Sequence, residues 1–415
     1  MSNSLFKKYP HCRFCLNKNL IKVIDLGNQP AANAFLSNKQ LKEKEPYFPL
    51  KVNICSKCGL LQLTHVVSPD YLFRNYVYVS STSPVFVAHF EKYAQSVYKK
   101  IKLNKDSLVI DIGSNDGILL KPFKKLGMKV LGVDPARKIA RQATKNGIPT
   151  IPEYFDQQLA NQIIKKWGFA DAITFNNVFA HVPYIDELIL AANKLLNNEG
   201  VLIIEAPYLV DLLQKNLFDT IYHEHVSYLS VRPLQTLFKR FNMTILDVEE
   251  TDSHGGSIRV FVKKNESKRK VEESVDEFIK TEKKLGLANA QTYKKFAKKI
   301  DQNKKDLNKL LRKLKSKGKT IIGYGAPAKG NTLLNYFDIG PEILDYIVDD
   351  SSYKQGLFTP GMHIPVVSSE EILTTKPNYI FILAWNFADS IMKKLSDYKQ
   401  DGGKFIIPVP KPIIV

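Results

Sequence analysis

The sequence is poor in features that would suggest a membrane or secreted protein. No run of about 18 consecutive apolar residues occurs in its 415 residues, so we expect no membrane span. The amino terminus, Met1 to Lys8, has no long apolar core after its charges, so we expect no secretory signal. Cysteine is scarce: there are four, and all lie in the first 60 residues. We therefore expect a cytoplasmic protein without disulfides.

Acidic residues are outnumbered by basic ones, and the formal net charge is +19. Such a charge suits nucleic acid, an anionic membrane or an anionic small substrate. Much of the excess, however, lies in helical stretches at 264–270 and 294–317, where Lys alternates with Glu, Asp and Leu. No Arg-rich or RGG-type segment occurs. This pattern is typical of a solvated surface, and we expect neither a nucleic-acid nor a membrane partner.

The four cysteines form two CxxC pairs that are separated by 39 residues. Two thiolates three residues apart can bind one metal ion from a tight turn, and two such turns complete a tetrahedral site. Disulfides are the alternative. The pattern favours a closed, structural zinc site that folds a small domain. Its predicted ligands are Cys12, Cys15, Cys55 and Cys58. The intervening 28–35 segment is predicted to be a surface loop that faces another domain.

An α/β pattern follows a helical connector at 68–105. A short apolar run at 107–112 predicts a buried parallel strand, which ends in the turn Gly113 to Gly117 before a helix. A second strand, 129–133, ends at Asp134, 21 residues after Gly113. There a carboxylate can accept ribose hydroxyl groups, so the pattern predicts a nucleotide site. The turn does not match GxGxxG, although a dinucleotide-binding domain stays an alternative.

Further strands are predicted near 149–151, 171–175, 201–205, 243–248 and 257–262. A charged helical segment then leads to a second α/β pattern with strands at 320–325, 346–350, 379–384 and 405–408. The fold class is therefore α/β, with two Rossmann-like domains behind a small zinc-binding domain. The predicted divisions are 1–67 for the zinc-binding domain, 68–265 for the first Rossmann-like domain, 266–318 for a helical bridge and 319–415 for the second Rossmann-like domain.

Histidine and its neighbours supply the candidate chemistry. His181 follows the fourth strand of the first domain, and Tyr222 to His225 follow the fifth. Ligands of open parallel sheets bind at the carboxyl ends of strands, so these residues should share one site. An imidazole with a pKa near 6.5 can act as general base, with a carboxylate to fix its tautomer and a phenol to stabilise an oxyanion. Tyr-His-Glu-His offers all three groups, whereas its spacing does not suit a catalytic metal.

Several motifs in the same order resemble the sugar C-methyltransferases of deoxysugar biosynthesis. They include the CxxC pairs, Tyr76-x-Tyr78-x-Ser80-Ser81, Asp111-x-Gly113-x-Asn115-Asp116-Gly117, Asn177-Val178-x-x-His181, Tyr222-His223-Glu224-His225, His254-Gly255-Gly256-Ser257-x-Arg259 and Gly323-Tyr324-Gly325-Ala326-x-Ala328-Lys329-Gly330. The resemblance implies a class I methyltransferase sheet that binds S-adenosylmethionine. It also implies a nucleotide diphosphate-linked 4-keto sugar as substrate, with thymidine diphosphate as the expected carrier.

The resemblance also implies residue roles. His225 would remove the proton next to the keto group, while Tyr222, Glu224 and His181 would orient the sugar, support His225 or stabilise the enolate. The implied residues for S-adenosylmethionine are Tyr76, Ser81, Asp111, Gly113, Asn115, Asp116, Gly117, Asp134 and Asn177. The implied substrate residues are His223, His254, Arg259, Tyr324 and Lys329, with Lys329 facing the diphosphate.

Three other functions stay open on the sequence alone. They are an O-methyltransferase acting on a related sugar, a zinc-bearing nucleic-acid methyltransferase, and an NAD-dependent sugar epimerase or dehydrogenase that uses the second Rossmann-like domain. We expect a monomer, because three domains can enclose the cleft without a partner.

Overall fold

The computed structural model of the protein describes residues 5–74, 81 and 84–415, with the backbone alone for Pro84 and His254. The amino-terminal part is a small β domain. Its elements are β1 (Phe6–Lys8), β2 (Leu20–Gln29), β3 (Phe48–Cys55), β4 (Leu61–Leu63) and β5 (His65–Val67). Helices α1 (Pro69–Phe73) and α2 (Pro84–Lys100) follow. The sequence expected Asn28 and Gln29 in a loop, but both end β2, and the loop begins at Pro30.

The second part carries a mixed sheet flanked by helices. Its first elements are β6 (Leu108–Ile112), α3 (Leu120–Lys125), β7 (Lys129–Val133), α4 (Arg137–Lys145), β8 (Thr150–Ile151), α5 (Gln157–Trp167), β9 (Ala170–Asn176) and α6 (Ile185–Leu195). It continues with β10 (Leu196–Pro207), α7 (Leu209–Gln214), β11 (Ser227–Tyr228), α8 (Val231–Lys239), β12 (Met243–Thr251) and β13 (Ser257–Lys264). The described strands are ordered β12-β13-β10-β9-β6-β7-β8, with β13 antiparallel to both of its neighbours. This sheet confirms the predicted Rossmann-like fold.

Strand β11 departs from the predicted domain division. Although it follows the second sheet in sequence, Ser227 and Tyr228 pair with Gln62 and Leu61 of β4. The described sheet of the amino-terminal domain is therefore ordered β11-β4-β3-β2. The segment before β11, which contains Tyr222 to His225, is consequently held against the cysteine-containing domain.

Two helices bridge to the last domain: α9 (Ser274–Lys284) and α10 (Ala290–Lys315). On α10 the buried residues recur every three or four positions, which produces one apolar face on an otherwise Lys-rich helix. Asn289 caps its first turn, because its side chain accepts a hydrogen bond from the Gln291 N–H at 2.9 Å. Gly318 adopts φ +68° just beyond its end, as expected for a helix stop. Among the described residues no helix combines the length and apolarity needed to cross a bilayer.

The last domain confirms the second Rossmann-like fold. Its elements are β14 (Ile321–Tyr324), α11 (Ala328–Phe337), β15 (Ile347–Val348), β16 (Val366–Val367), α12 (Glu371–Thr375), β17 (Tyr379–Ile382), α13 (Ala388–Lys394), α14 (Ser396–Gln400), β18 (Lys404–Ile407) and β19 (Ile413–Ile414). The described sheet is ordered β16-β15-β14-β17-β18-β19 and is parallel except for β19.

The loop after β2 contacts this last domain, as the sequence predicted, but it is not the exposed surface loop that was expected, since Ala31 and Ala32 are buried. The Asn331 side chain on α11 donates a 2.7 Å hydrogen bond to the Ala32 carbonyl, and Leu36 forms a β-bridge with Phe358. The cysteine-containing domain and the last domain therefore meet directly beside the second sheet.

Candidate active site

The four cysteine sulfurs form one cluster and lie within 4.8 Å of one another. The Cys12 and Cys58 sulfurs are 3.5 Å apart, as are those of Cys15 and Cys55. A tetrahedral zinc ion with Zn–S bonds of about 2.3 Å separates its sulfurs by about 3.8 Å, so the donor set fits zinc. All four cysteines are free thiols, which argues against the disulfide alternative. Such a closed four-thiolate site is structural and leaves no position for a substrate.

A cavity of about 680 Å³ lies where the three domains meet. One side is formed by the carboxyl ends of strands β6, β7 and β9. The predicted S-adenosylmethionine residues that line it are Gly113, Asn115, Asp134 and Asn177. The predicted catalytic residues that line it are His181, Tyr222 and His225, and the last domain contributes Lys329. The topology therefore brings the two predicted sites into one continuous space.

The turn after β6 has the close packing that a cofactor site requires. Gly113 adopts φ +72° and donates a 2.7 Å hydrogen bond to the Val133 carbonyl. A Cβ at this glycine would lie 2.3 Å from a methyl carbon of Val178, so no larger residue fits. Asn115 and Asn177 adopt φ values of +50° and +56°, a region that non-glycine residues rarely occupy. Such backbone strain is typical of ligand sites.

Asp134 lies at the end of β7 and ties this turn to its own strand. One carboxylate oxygen accepts the Asn115 N–H and the other accepts the Ala136 N–H, both at 2.8 Å. Burial raises the pKa of Asp134, and the two backbone donors oppose that shift. Each carboxylate oxygen retains lone-pair capacity, and the residue lines the cavity. The arrangement suits the predicted contact with ribose hydroxyl groups.

His225 lies in the cavity wall with a defined tautomer. Its Nδ1 is 2.7 Å from the Thr220 carbonyl, which can only accept, so Nδ1 carries the proton and Nε2 keeps its lone pair. The Tyr222 ring centroid is 4.1 Å from the His225 ring, and that of His181 is 4.9 Å away. Burial lowers the pKa of His225 to about 4, below the ordinary value that the sequence suggested. The imidazole is therefore neutral at pH 7 and able to accept a proton.

The other two residues of Tyr-His-Glu-His point to the cysteine-containing domain. His223 is 1% exposed, and its Nε2 lies 3.2 Å from the Phe48 carbonyl of β3. Glu224 accepts a 2.6 Å hydrogen bond from the Asn33 side chain in the loop after β2. Neither residue lines the cavity among the described residues. A substrate-binding role for His223 and a direct catalytic role for Glu224 therefore lack support in the geometry, and both residues anchor the segment that carries His225.

Arg259 and Tyr324 are also placed away from the cavity lining. The Arg259 guanidinium donates twice to Glu205, at 2.7 and 2.9 Å, and lies 3.9 Å over the Tyr93 ring. The Tyr324 hydroxyl donates to the Asp350 carboxylate and accepts from the Lys394 ammonium. These partners correct the expectation that either side chain is directed at the substrate.

The remaining predicted residues either lie outside the cavity lining or are not described by the structure. Asp111 is buried beneath the turn, where Thr174 and Asn176 donate to its carboxylate and burial raises its pKa to about 7. Asp116 is buried, Gly117 adopts φ +78° against Ile148, and Ser81 is half-buried; none of the three is among the cavity-lining residues described. Tyr76 and the His254 side chain lie outside the described part of the structure.

Sequence reasoning missed several cavity residues. Tyr154 and Phe155 follow β8, so the strand-end rule that selected Asp134 could have identified them. Thr220 lies two positions before the Tyr-His-Glu-His motif, and its carbonyl is what fixes His225. Asn33, Lys354 and Asn386 come from other domains, and no local signal in the sequence marks them.

Three family models match the chain over most of its length. A zinc binding domain model matches residues 12–73, a methyltransferase domain model matches residues 87–248, and a C-methyltransferase C-terminal domain model matches residues 252–410. The C-methyltransferase NovU of Streptomyces niveus is 37% identical over 404 residues, which cover 97% of this chain and 96% of the relative.

This chain belongs to the NovU family of C-methyltransferases. It is an S-adenosylmethionine-dependent methyltransferase with a zinc-binding amino-terminal domain, as the sequence predicted. The family favours carbon over oxygen as the methyl acceptor, and methyl transfer over the NAD-dependent alternative.

Two other similarities are partial. The ubiquinone biosynthesis O-methyltransferase of Bartonella quintana is 25% identical over 158 residues, which cover 34% of this chain and 61% of that protein. The solved magnesium protoporphyrin IX methyltransferase of Synechocystis PCC 6803 is 17% identical and covers 46% of this chain and 85% of its own. Its TM-score of 0.33 is too low to support further comparison.

Proposed function

We propose that the protein methylates the ring carbon next to the 4-keto group of a nucleotide diphosphate-linked deoxysugar, with His225 as the base. The observation that carries this proposal is the fixed tautomer of His225: Nδ1 donates to the Thr220 carbonyl, which leaves Nε2 to accept a proton. A carbon atom needs such a base, because only deprotonation next to a ketone makes it nucleophilic.

The proposed reaction has two steps. In the first, Nε2 of His225 takes the proton from the carbon next to the ketone, and the electron pair of that C–H bond forms an enolate. In the second, the enolate carbon attacks the methyl group of S-adenosylmethionine, whose carbon–sulfur bond breaks. The products are the C-methylated keto sugar, S-adenosylhomocysteine and a proton on His225 that returns to solvent. Tyr222, whose ring contacts His225, is the candidate donor to the enolate oxygen.

Two lysine side chains of the last domain support a sugar substrate that carries an anionic group. Lys329 and Lys354, both from the last domain, line the cavity. Burial lowers the pKa of Lys329 to about 8, while Asp219 opposes the shift, so its ammonium is mainly protonated at pH 7. A buried ammonium group favours an anionic ligand, which in this proposal is the diphosphate.

The test is methyl transfer to a thymidine diphosphate-linked 4-keto-6-deoxysugar, with the product's methyl position determined by NMR. We expect a new carbon–carbon bond next to the ketone. His225→Asn should reduce turnover by about 100- to 10,000-fold, the range for loss of a general base. The matched control is His363→Asn, which removes a histidine that pairs with Glu45 away from the cavity. Methylation on oxygen, or equal rates for both variants, would contradict the proposal.

A further inference from the structure

We propose that Trp385 and Asp219 are positioning residues, through which the last domain holds the turn that orients His225. The inference rests on the proposed role of His225 as base. Trp385 begins a short 3-10 helix after β17, and its indole N–H donates a 2.5 Å hydrogen bond to the Asp219 carboxylate. Asp219 is 0% exposed and belongs to the 3-10 helix Phe218–Thr220 of the methyltransferase part.

The contacted turn ends at the residue that fixes the base. Thr220 directly follows Asp219, and its carbonyl accepts the proton of His225 Nδ1 at 2.7 Å. The Thr220 hydroxyl is itself committed to the Leu217 carbonyl at 2.7 Å. The direction of the Thr220 carbonyl therefore depends on how the 3-10 helix is held, and Asp219 is the residue directly before it in that helix.

The last domain holds this turn at two further points. The Phe218 ring stacks on Phe337 of α11 with centroids 4.9 Å apart and an interplanar angle of 14°. The Asn216 side chain, two residues earlier, donates to the Pro410 carbonyl at 3.2 Å. The indole bond is distinct among these contacts, because it is made to a fully buried carboxylate, where water cannot replace a lost donor.

The indole also faces the cavity cation. The Lys329 ammonium lies 3.6 Å from the centroid of the Trp385 ring and is bonded to the Asn386 side chain. Trp385 is therefore in contact with Lys329 through its face and with Asp219 through its edge. This geometry couples the lysine that we assign to the diphosphate with the turn that orients the base.

The decisive variant is Trp385→Phe, which keeps an aromatic face beneath Lys329 and removes the N–H donor. We expect kcat, and the rate of solvent-hydrogen exchange at saturating substrate, to fall by about 10- to 100-fold, as is typical when the partner that orients a functional histidine is lost. The dissociation constant of S-adenosylmethionine should stay within twofold. Trp167→Phe, which changes the chain's other tryptophan on α5, is the matched control and should behave as the unaltered protein.

The tautomer of His225 provides a readout that needs no substrate. Nitrogen-15 NMR of the histidine rings measures it, and the His225 signals are assigned as those that disappear in His225→Asn. We expect a proton on Nδ1 in the unaltered protein. In Trp385→Phe we expect a mixture of the two tautomers. Once Asp219→Leu has removed the carboxylate that accepts the indole N–H, the further change Trp385→Phe should lower the exchange rate little, because the bond that it breaks is already lost.

The outcomes separate this inference from the proposed function. An unchanged tautomer and exchange rate in Trp385→Phe, or a change in substrate KM alone, would overturn the positioning role. If His225→Asn retained activity, the proposed base would fail. The NMR comparison of Trp385→Phe would still decide whether the indole bond orients the ring.

Discussion

The two Rossmann-like domains have the same hydrogen-bonded turn after their first strand, but they differ in the charged side chains beside that turn. In the methyltransferase sheet, the Gly113 N–H donates to Val133 at the end of the second strand; in the last domain, Gly325 donates to Val348, and both distances are 2.7 Å. Both glycines adopt positive φ, +72° and +79°. Each turn is therefore fixed to the neighbouring strand in the same way.

The two domains are also similar in the carboxylate that follows the second strand. Asp134 accepts from Asn115 in the turn and from Ala136, two residues on; Asp349 accepts from Ala326 in its turn at 2.7 Å and from Ser351 at 2.8 Å. The two domains differ in that only Asp349 has a cation beside it among the described residues. The Lys354 ammonium lies 3.6 Å from Asp349 and donates to the Ala326 carbonyl at 2.9 Å. Among the described residues Asp134 has no such ion pair.

This difference teaches how one scaffold can serve two ligands. An uncompensated carboxylate at a strand end suits ribose hydroxyl groups, as proposed for Asp134. A carboxylate neutralised by lysine no longer favours such donors, and the lysine beside it lines the cavity. We therefore propose that the first crevice binds S-adenosylmethionine and the second binds the anionic part of the substrate.

The sharpest test of the comparison exchanges the two carboxylates for amides. Asp134→Asn should weaken S-adenosylmethionine binding by about 100-fold, because charge-assisted hydrogen bonds contribute about 1.5–3 kcal/mol each. Asp349→Asn should change it less than twofold. Calorimetric titration of both variants measures the difference, and equal losses would end the distinction between the crevices.

A smaller effect is expected from the lysine itself. Lys354→Met should raise the KM for the sugar nucleotide by about tenfold, since one partly buried cation near a diphosphate contributes about 1.4 kcal/mol, and should leave S-adenosylmethionine binding unchanged. Lys315→Met, which removes a lysine at the end of α10 that pairs with Asp345 of the last domain, is the control. Steady-state kinetics with each ligand varied separately measures both KM values. A raised KM for S-adenosylmethionine in Lys354→Met would contradict the assignment.

The smallest effect concerns pH. The pKa of Lys329 is lowered to about 8, so its ammonium is charged below pH 8 and loses its charge above it. We expect the substrate KM to rise about fivefold between pH 7 and pH 9, while S-adenosylmethionine affinity stays level. Lys329→Met should have a raised KM at pH 7 that no longer changes over this range. A pH-independent KM in the unaltered protein would remove Lys329 from the substrate crevice.

The sequence predicted the features that local patterns encode. Short apolar runs located β6, β7, β9 and β10, and the strand-end rule brought Asp134, His181 and His225 into one cavity. The CxxC pairs identified a cluster whose four sulfurs do meet. These inferences succeed because strand burial and ligand spacing depend on residues that are near one another in the chain.

Long-range contacts could not be predicted in the same way. The bond from Asn33 to Glu224 joins residues 191 positions apart, and that from Trp385 to Asp219 spans 166 positions. The pairing of β11 with β4 likewise depends on how two domains meet. Arg259 was assigned to substrate because the family resemblance implied it, whereas in the structure its guanidinium pairs with the buried Glu205.

The most direct test of the account is solvent-hydrogen exchange in deuterated water, with S-adenosylhomocysteine in place of the methyl donor. A base that acts before methyl transfer should exchange the hydrogen next to the ketone of a thymidine diphosphate-linked 4-keto-6-deoxysugar without any methylation. We expect exchange in the unaltered protein and at least a 100-fold slower rate in His225→Asn. No exchange in a protein that still forms the C-methylated product, or equal exchange in both proteins, would contradict His225 as the base.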